Sequence, residues 1–211
     1  MTRGRFMTFE GGEGAGKSTQ VRRLVARLQA AGHEVTATRE PGGSPGAEAI
    51  RDIVLKGAAD RWSPVTETLL MYAARRDHIE RVIRPALDRG AWVVCDRFAD
   101  STRAYQGGAG GVDPALIAAL EAHILADVRP DLTLVFDLPP EVGLRRATER
   151  AGPEMRFESK GLAFHQRLRD AFAAIAAAEP DRCVVIDGTG SIDAVADAVW
   201  TAVSERLGVD G

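Results

Sequence analysis

Gly11-Gly12-Glu13-Gly14-Ala15-Gly16-Lys17-Ser18 is the stretch whose reading decides the fold. It fits the pattern G-x-x-x-x-G-K-[ST], in which glycines let successive backbone N–H groups turn inward around phosphate oxygens. The lysine of that pattern reaches the β and γ phosphates, and the hydroxyl serves Mg²⁺. Its flanks supply the context such a loop needs: Phe6-Met7-Thr8-Phe9 reads as a short strand and Thr19 to Ala30 as a helix. The loop then aims several N–H groups and a helix N-terminus at an anion. The sequence therefore predicts a nucleotide-phosphate site made by Gly11, Gly12, Glu13, Gly14, Ala15, Gly16, Lys17, Ser18 and Thr19, with Ser18 as the metal-ligating side chain.

Length and composition bound the rest. At 211 residues, 45% hydrophobic and 27% charged, the chain reads as one globular domain over 1–211 with a proper core. Its longest apolar runs are strand-length or broken by charge, so no membrane span is expected. The N-terminus Met1-Thr2-Arg3-Gly4-Arg5 leads into a strand rather than a secretory segment. Cys95 and Cys183 fall in strands and form no Cys-x-x-Cys pair, which suggests buried thiols in a reducing cytoplasm. A net charge of −3 argues against sequence-independent nucleic-acid binding. All but three of the 27 basic residues are arginines, so a single arginine carries little weight without its context.

Read outward from the loop, strand and helix alternate. Glu34 to Thr38 rises as a second strand, and Arg39-Glu40-Pro41-Gly42-Gly43-Ser44-Pro45-Gly46 is a shaped loop at its carboxyl end. A helix follows from about Ala47 to Leu55. Ser63-Pro64 caps another, which runs into Ala73-Ala74-Arg75-Arg76-Asp77-His78, and Ile79 to Leu87 is amphipathic. Trp92 to Cys95 reads as a central strand ending in Asp96-Arg97-Phe98. Asp113-Pro114 opens a helix to about Asp127, and Leu132 to Asp137 is the fourth strand. Pro140 to Arg150 and Leu162 to Ala178 are helices around an excursion from Arg150 to Lys160. Cys183 to Asp187 is the fifth strand, and Ile192 to Leu207 the closing helix. Five buried strands with helical crossovers make an α/β fold, a parallel sheet covered on both faces.

A phosphate loop alone allows an ATPase, a GTP switch or a kinase. No guanine-reading Asn-Lys-x-Asp occurs, and Val93-Val94-Cys95-Asp96 only partly resembles the acidic strand end of a motor ATPase. Arg97 directly after Asp96, with Arg39 and Arg75 elsewhere, suits a second anion gripped by bidentate forks. An arginine-bearing excursion near Arg150 suits a lid that excludes water from a transferring phosphoryl group. A kinase for a small phosphate acceptor leads. A kinase for another acceptor, and a switch without one, stay open.

At these residues the chain resembles the thymidylate kinase family over nearly its whole length. Glu10 to Gln20 looks like the ATP loop of that family, Thr38-Arg39-Glu40-Pro41-Gly42-Gly43-Ser44-Pro45 like its second signature, and Asp96 to Gly107 like its third. Pro130-Asp131-Leu132-Thr133 fits as well. The resemblance implies a P-loop nucleoside monophosphate kinase fold with a short lid at about 146–160, and phosphorylation of dTMP to dTDP with ATP and Mg²⁺ in a cytoplasmic homodimer. It further implies that Glu13 lies near the acceptor sugar, that Arg39 and Arg97 hold the acceptor phosphate, and that Arg75 and Ser101 approach the thymine edge. Tyr105 would lie under the deoxyribose, with Pro41, Asp96 and Gln106 also lining the acceptor site. Met71 stands where the family often carries a stacking phenylalanine; a thioether can lie against a base. The loop has no arginine of its own, so a lid arginine is expected in the transition state. Among Arg146, Arg150 and Arg156, Arg150 is the choice, acting with Lys17 and Arg97.

Overall fold

The structure is a computed structural model and describes residues 3–58, 60–150, 156, 157 and 159–209. Five parallel strands lie in the order β2-β3-β1-β4-β5: β1 (Phe6–Gly11), β2 (Val35–Arg39), β3 (Trp92–Asp96), β4 (Leu132–Asp137) and β5 (Cys183–Asp187). The phosphate loop thus leaves the central strand, where the strand order reverses. Open α/β sheets bind ligands at that crevice. In the β1–β3 ladder Phe9 faces Asp96, in β2–β3 Arg39 faces Asp96, and in β1–β4 Gly11 faces Phe136, so the charged strand ends converge on one rim.

Alternation along β1 divides the core. Met7 and Phe9 point to the face covered by α1 (Lys17–Ala30) and α9 (Ile192–Leu207), where they join Leu24, Leu28, Val199 and Val203. Phe6 points to the other face and meets Ile79, Ile83, Leu87 and Phe98. There also lie α2 (Pro45–Leu55), α3 (Pro64–His78), α4 (Arg84–Asp88), α5 (Ala99–Thr102) and α6 (Pro114–Ile124). Between α7 (Pro140–Arg150) and β5 runs α8 (Leu162–Ala178), whose Phe164, Leu168 and Phe172 pack with Tyr105 and Val135.

Two expectations need correcting. The strands are not all buried: β1, β3 and β4 are, apart from Asp96 and Asp137 at their ends, but β2 has no fully buried residue and β5 only Cys183 and Ile186, because an edge strand has a neighbour on one side only. The stretch Ile79 to Leu87 is amphipathic, with Ile79, Ile83, Ala86 and Leu87 buried, and it continues α3 through a π-helical turn at Ile79–Ile83 into α4; the widened turn admits Pro85, which has no N–H to give. The helix opened by Asp113-Pro114 stops at Ile124 rather than Asp127, because Ala126 takes a left-handed φ of 49°.

Candidate active site

The phosphate loop is built by close backbone approach. Gly14 has φ +66°, and a Cβ there would stand 2.0 Å from the carbonyl oxygen of Gly143 on α7; a Cβ on Gly143 would in turn stand 2.3 Å from the carbonyl of Glu13. Loop and helix therefore touch backbone to backbone, which no side chain at either position allows. Lys17 opens α1 and folds back over the loop, donating to the carbonyls of Gly12 at 2.7 Å and Gly11 at 3.1 Å. Burial first and Arg97 second bring its pKa down to about 8, against the pull of Glu13 and Asp96. A polyphosphate in the loop would push it back toward full charge.

Ser18 donates to Asp96 Oδ2 at 2.6 Å. Strand order brings this about, since β3 pairs directly with β1 and ends beside the start of α1. A hydroxyl and a carboxylate side by side next to a phosphate loop are hard oxygen donors of the kind Mg²⁺ takes, with phosphate oxygens and waters completing its shell.

Arg97 adopts φ 71°, left-handed for a residue with a Cβ. Such strain persists where the surroundings over-determine it. Here the Arg97 N–H donates to the Phe9 carbonyl, the Phe98 N–H donates to Glu10 Oε1 at 2.7 Å, and Cys95 Sγ–H donates to the Arg97 carbonyl. The guanidinium donates through Nη1 to the Gly11 carbonyl at 2.9 Å and to Ser101 Oγ at 3.2 Å, and through Nη2 to Glu13 Oε1 at 3.1 Å. Tyr105 donates its hydroxyl to the same Glu13 oxygen. Burial alone would raise the Glu13 pKa, but Arg97, Lys17 and the Tyr105 hydrogen bond overcome it and bring it down to about 2. Glu13 is thus an ionised anchor for Arg97 and Tyr105.

One cavity of about 530 Å³ runs from the loop at Glu13 to Thr19 across Arg39, Pro41, Asp96 and Arg97 to Met71, Arg75, Ser101, Tyr105 and Gln106. All of these were expected in the site from the sequence. Gly11 and Gly12 are not in its lining; their carbonyls hold Lys17 and Arg97 instead. Arg39 stands at the rim, exposed and forked onto Glu48. Ser101 gives its proton to Glu10 Oε2 at 2.6 Å, which leaves its oxygen to Arg97. Gln106 donates to the buried Glu67 at 2.7 Å. Arg75 is 2% exposed, so it is no solvated helix arginine; its Nη1 is buried with no hydrogen-bond partner among the described residues.

Of the three lid candidates, Arg146 reaches the Gly188 carbonyl at 3.3 Å. Arg156 is buried against Glu67 and the carbonyls of Val54 and Ala58. The Arg150 side chain and residues 151–155 lie outside the described residues. Sequence reasoning left Glu10, Glu40, Glu67 and His78 out of the site; all are buried, Glu10, Glu40 and Glu67 are joined to a site residue or to Arg156, and His78 is joined to Glu40. The signal available was a charged residue inside an apolar setting, as at Glu10 in Phe6-Met7-Thr8-Phe9-Glu10.

The comparisons with known proteins agree with this geometry. A sequence model of thymidylate kinases matches residues 9–199. The chain is 68% identical to a thymidylate kinase of Caulobacter vibrioides, over 99% of this chain and 100% of that one. It is 57% identical to one of Nitrobacter winogradskyi, over 97% and 90%. Among solved structures, a thymidylate kinase from Ehrlichia chaffeensis superposes with a TM-score of 0.77 at 33% identity, covering 95% of this chain and 99% of that one. With the phosphate loop and these likenesses spanning nearly its full length, the chain belongs to the thymidylate kinase family.

Proposed function

We propose that this chain transfers the γ-phosphoryl group of ATP to dTMP, giving dTDP and ADP, and that the cavity just described holds both substrates. The observation that carries the reading is the continuity of that cavity. Phosphate-loop residues line one end and Arg97, Tyr105, Met71 and Arg75 the other, so donor and acceptor meet without crossing solvent. ATP phosphates lie on the Gly11–Gly16 backbone with Lys17 between the β and γ oxygens. Ser18 and Asp96 would hold Mg²⁺, which would supply charge neutralisation on the phosphate oxygens.

The acceptor phosphate is already a nucleophile, so no strong base is required and the work is alignment and charge neutralisation. Arg97 and Arg39 grip the acceptor phosphate, and Glu13 with Tyr105 borders the deoxyribose. Arg75 Nη1, a buried donor lacking an acceptor among the described residues, meets a carbonyl of thymine. Met71, half-buried at the cavity wall, lies against the ring. The chain works as a single P-loop domain with a lid at about 146–160, in the cytoplasm and as a homodimer. Its two buried free cysteines suit a reducing compartment, and no helix among the described residues is long and apolar enough to cross a membrane.

Steady-state rates with MgATP and a panel of nucleoside monophosphates test this. dTMP should be preferred over its ribose counterpart, because a 2′-hydroxyl would crowd Tyr105, and Tyr105→Ala should narrow the gap. Slow ATP hydrolysis that ignores every acceptor would instead make the chain a switch, and equal kcat/KM for deoxy and ribo acceptors would remove Tyr105 from sugar recognition.

A further inference from the structure

Arg75 is held by side chains that the reading above leaves without a task. Its Nε donates to Glu40 Oε2 at 2.7 Å, and its Nη2 donates to the Phe98 carbonyl at 3.0 Å and to Thr102 Oγ1 at 3.1 Å. The other Glu40 oxygen lies 2.9 Å from His78 Nδ1, and His78 Nε2 lies 2.7 Å from Thr38 Oγ1. A carboxylate oxygen accepts, so Nδ1–H donates to Glu40, and between Nε2 and the Thr38 hydroxyl either atom can be the donor. The chain of bonds runs from strand β2, through the end of α3, to the loop after β2, and back to Arg75 on α3. His78 is 0% exposed and Glu40 5%. Gly43 closes the arrangement from above: at φ +87°, a Cβ there would stand 2.4 Å from His78 Nε2 and 2.5 Å from Thr38 Oγ1. The loop backbone lies directly on the histidine, and no side chain fits between them.

The guanidinium is planar, so fixing Nε and Nη2 fixes where Nη1 points. Nη1 is the nitrogen left buried without a partner among the described residues, on a residue that lines the cavity. We propose that Thr38, His78 and Glu40 form a relay that sets base specificity by aiming Arg75 Nη1, and that His78 is a positioning residue for telling an oxo from an amino group on the pyrimidine. Thymine offers a carbonyl acceptor where cytosine offers an amino donor, and two donors cannot pair. Rejection is strong only if the arginine cannot swing aside to water. A polar site built for one partner loses most when its own buried group is left unpaired. The relay removes that escape. This inference rests on the assignment of Arg75 to the base.

The test is kcat/KM for dTMP and for dCMP, together with KM for ATP, in wild type, Arg75→Gln, His78→Leu, His78→Asn and Thr38→Val. His78→Leu should lower the dTMP-to-dCMP ratio about 10-fold or more, chiefly through KM for dTMP, with KM for ATP within about twofold of wild type. His78→Asn, whose amide can replace the Nδ1–H donor, should recover most of the ratio. Thr38→Val removes one hydroxyl at a half-buried position and should lower the ratio about threefold, which decides the matter if His78→Leu does not fold. An unchanged ratio in folded His78→Leu, or in Thr38→Val where it alone folds, overturns the relay, as does a fall matched by an equal rise in KM for ATP. If Arg75→Gln keeps the ratio, the base assignment itself fails. If Arg75→Gln abolishes the ratio while His78→Leu and Thr38→Val keep it, only the relay fails.

Discussion

Burial of Glu10 beneath the phosphate loop sets the turn on which Arg97 stands. Its oxygens accept from the Phe98 N–H and the Ser101 hydroxyl, and that serine oxygen accepts from Arg97, so one carboxyl group orders three residues of the cavity wall. The cost shows in its titration. Burial and then Asp100 push its pKa up from 4.5 to about 7, more than Ser101, Arg97 and Phe98 pull it down. The native protein keeps a proton that the unfolded chain releases between those values. Stability present below pH 4.5 is therefore lost as pH rises through 7, by about 3 kcal/mol for a shift of this size. Glu13 runs the other way: with its pKa at about 2, its contribution is present above pH 4.5 and lost as pH falls toward 2. Glu10→Gln has no proton to lose, so urea unfolding at pH 5 and pH 8 should show wild type losing about 2 to 3 kcal/mol against the variant. A gap that does not move with pH would mean that Glu10 ionises as an exposed carboxylate does.

At the scale of elements, the lid arginines divide by what they touch. Arg156 is committed to α2 and α3 through Val54, Ala58 and Glu67, and Glu67 also receives Gln106. Removing one side of a buried ion pair typically costs 3 to 5 kcal/mol, so Arg156→Ala should lose about that much stability. Arg150→Ala should instead lower kcat about 10³-fold, with KM for both substrates little changed, if the transition-state charge is met there. A thermally intact, inactive Arg156→Ala beside an active Arg150→Ala would reverse the assignment. The strands and the phosphate loop were legible because periodicity and glycine spacing are local signals, and the strand-end arginines followed from them. The pairing of Ser18 with Asp96 was not, because it depends on β3 lying next to β1, which is a matter of strand order. Nor were the partners of Arg75 legible: Glu40 and His78 are 38 residues apart in the chain and meet only when α3 packs on the loop after β2. The π-helical turns at Ile79–Ile83 and Arg103–Ala109 leave no clear periodic trace, since one widened turn blurs a 3.6-residue repeat.

For the whole molecule, the question is whether the chemistry needs a second copy. Among the described residues, the side chains of the proposed mechanism (Glu13, Lys17, Ser18, Arg39, Met71, Arg75, Asp96, Arg97 and Tyr105) all line one cavity, so assembly need not supply any of these. An apolar face is nevertheless left open on the far side of α3. Val65 and Leu69, one helical turn apart, are 45% and 48% exposed, and Ile53 on the adjoining α2 is 41% exposed. Single exposed aliphatics are ordinary, but these three stand on two helices packed against each other, and association through those helices would cover them. A homodimer formed through this face would place its contact on the same helix that ends in Arg75 and His78, bracing the base site without contributing to it. Leu69→Asp sets a charge in the middle of the face and should shift sedimentation from twice the chain mass to the chain mass at micromolar concentration. With these side chains present in each copy, kcat should stay within about threefold, while KM for dTMP rises modestly as α3 loses its support. A variant that still sediments as a dimer would move the interface elsewhere, and a folded monomer with no turnover would mean that the cavity of one chain is not sufficient.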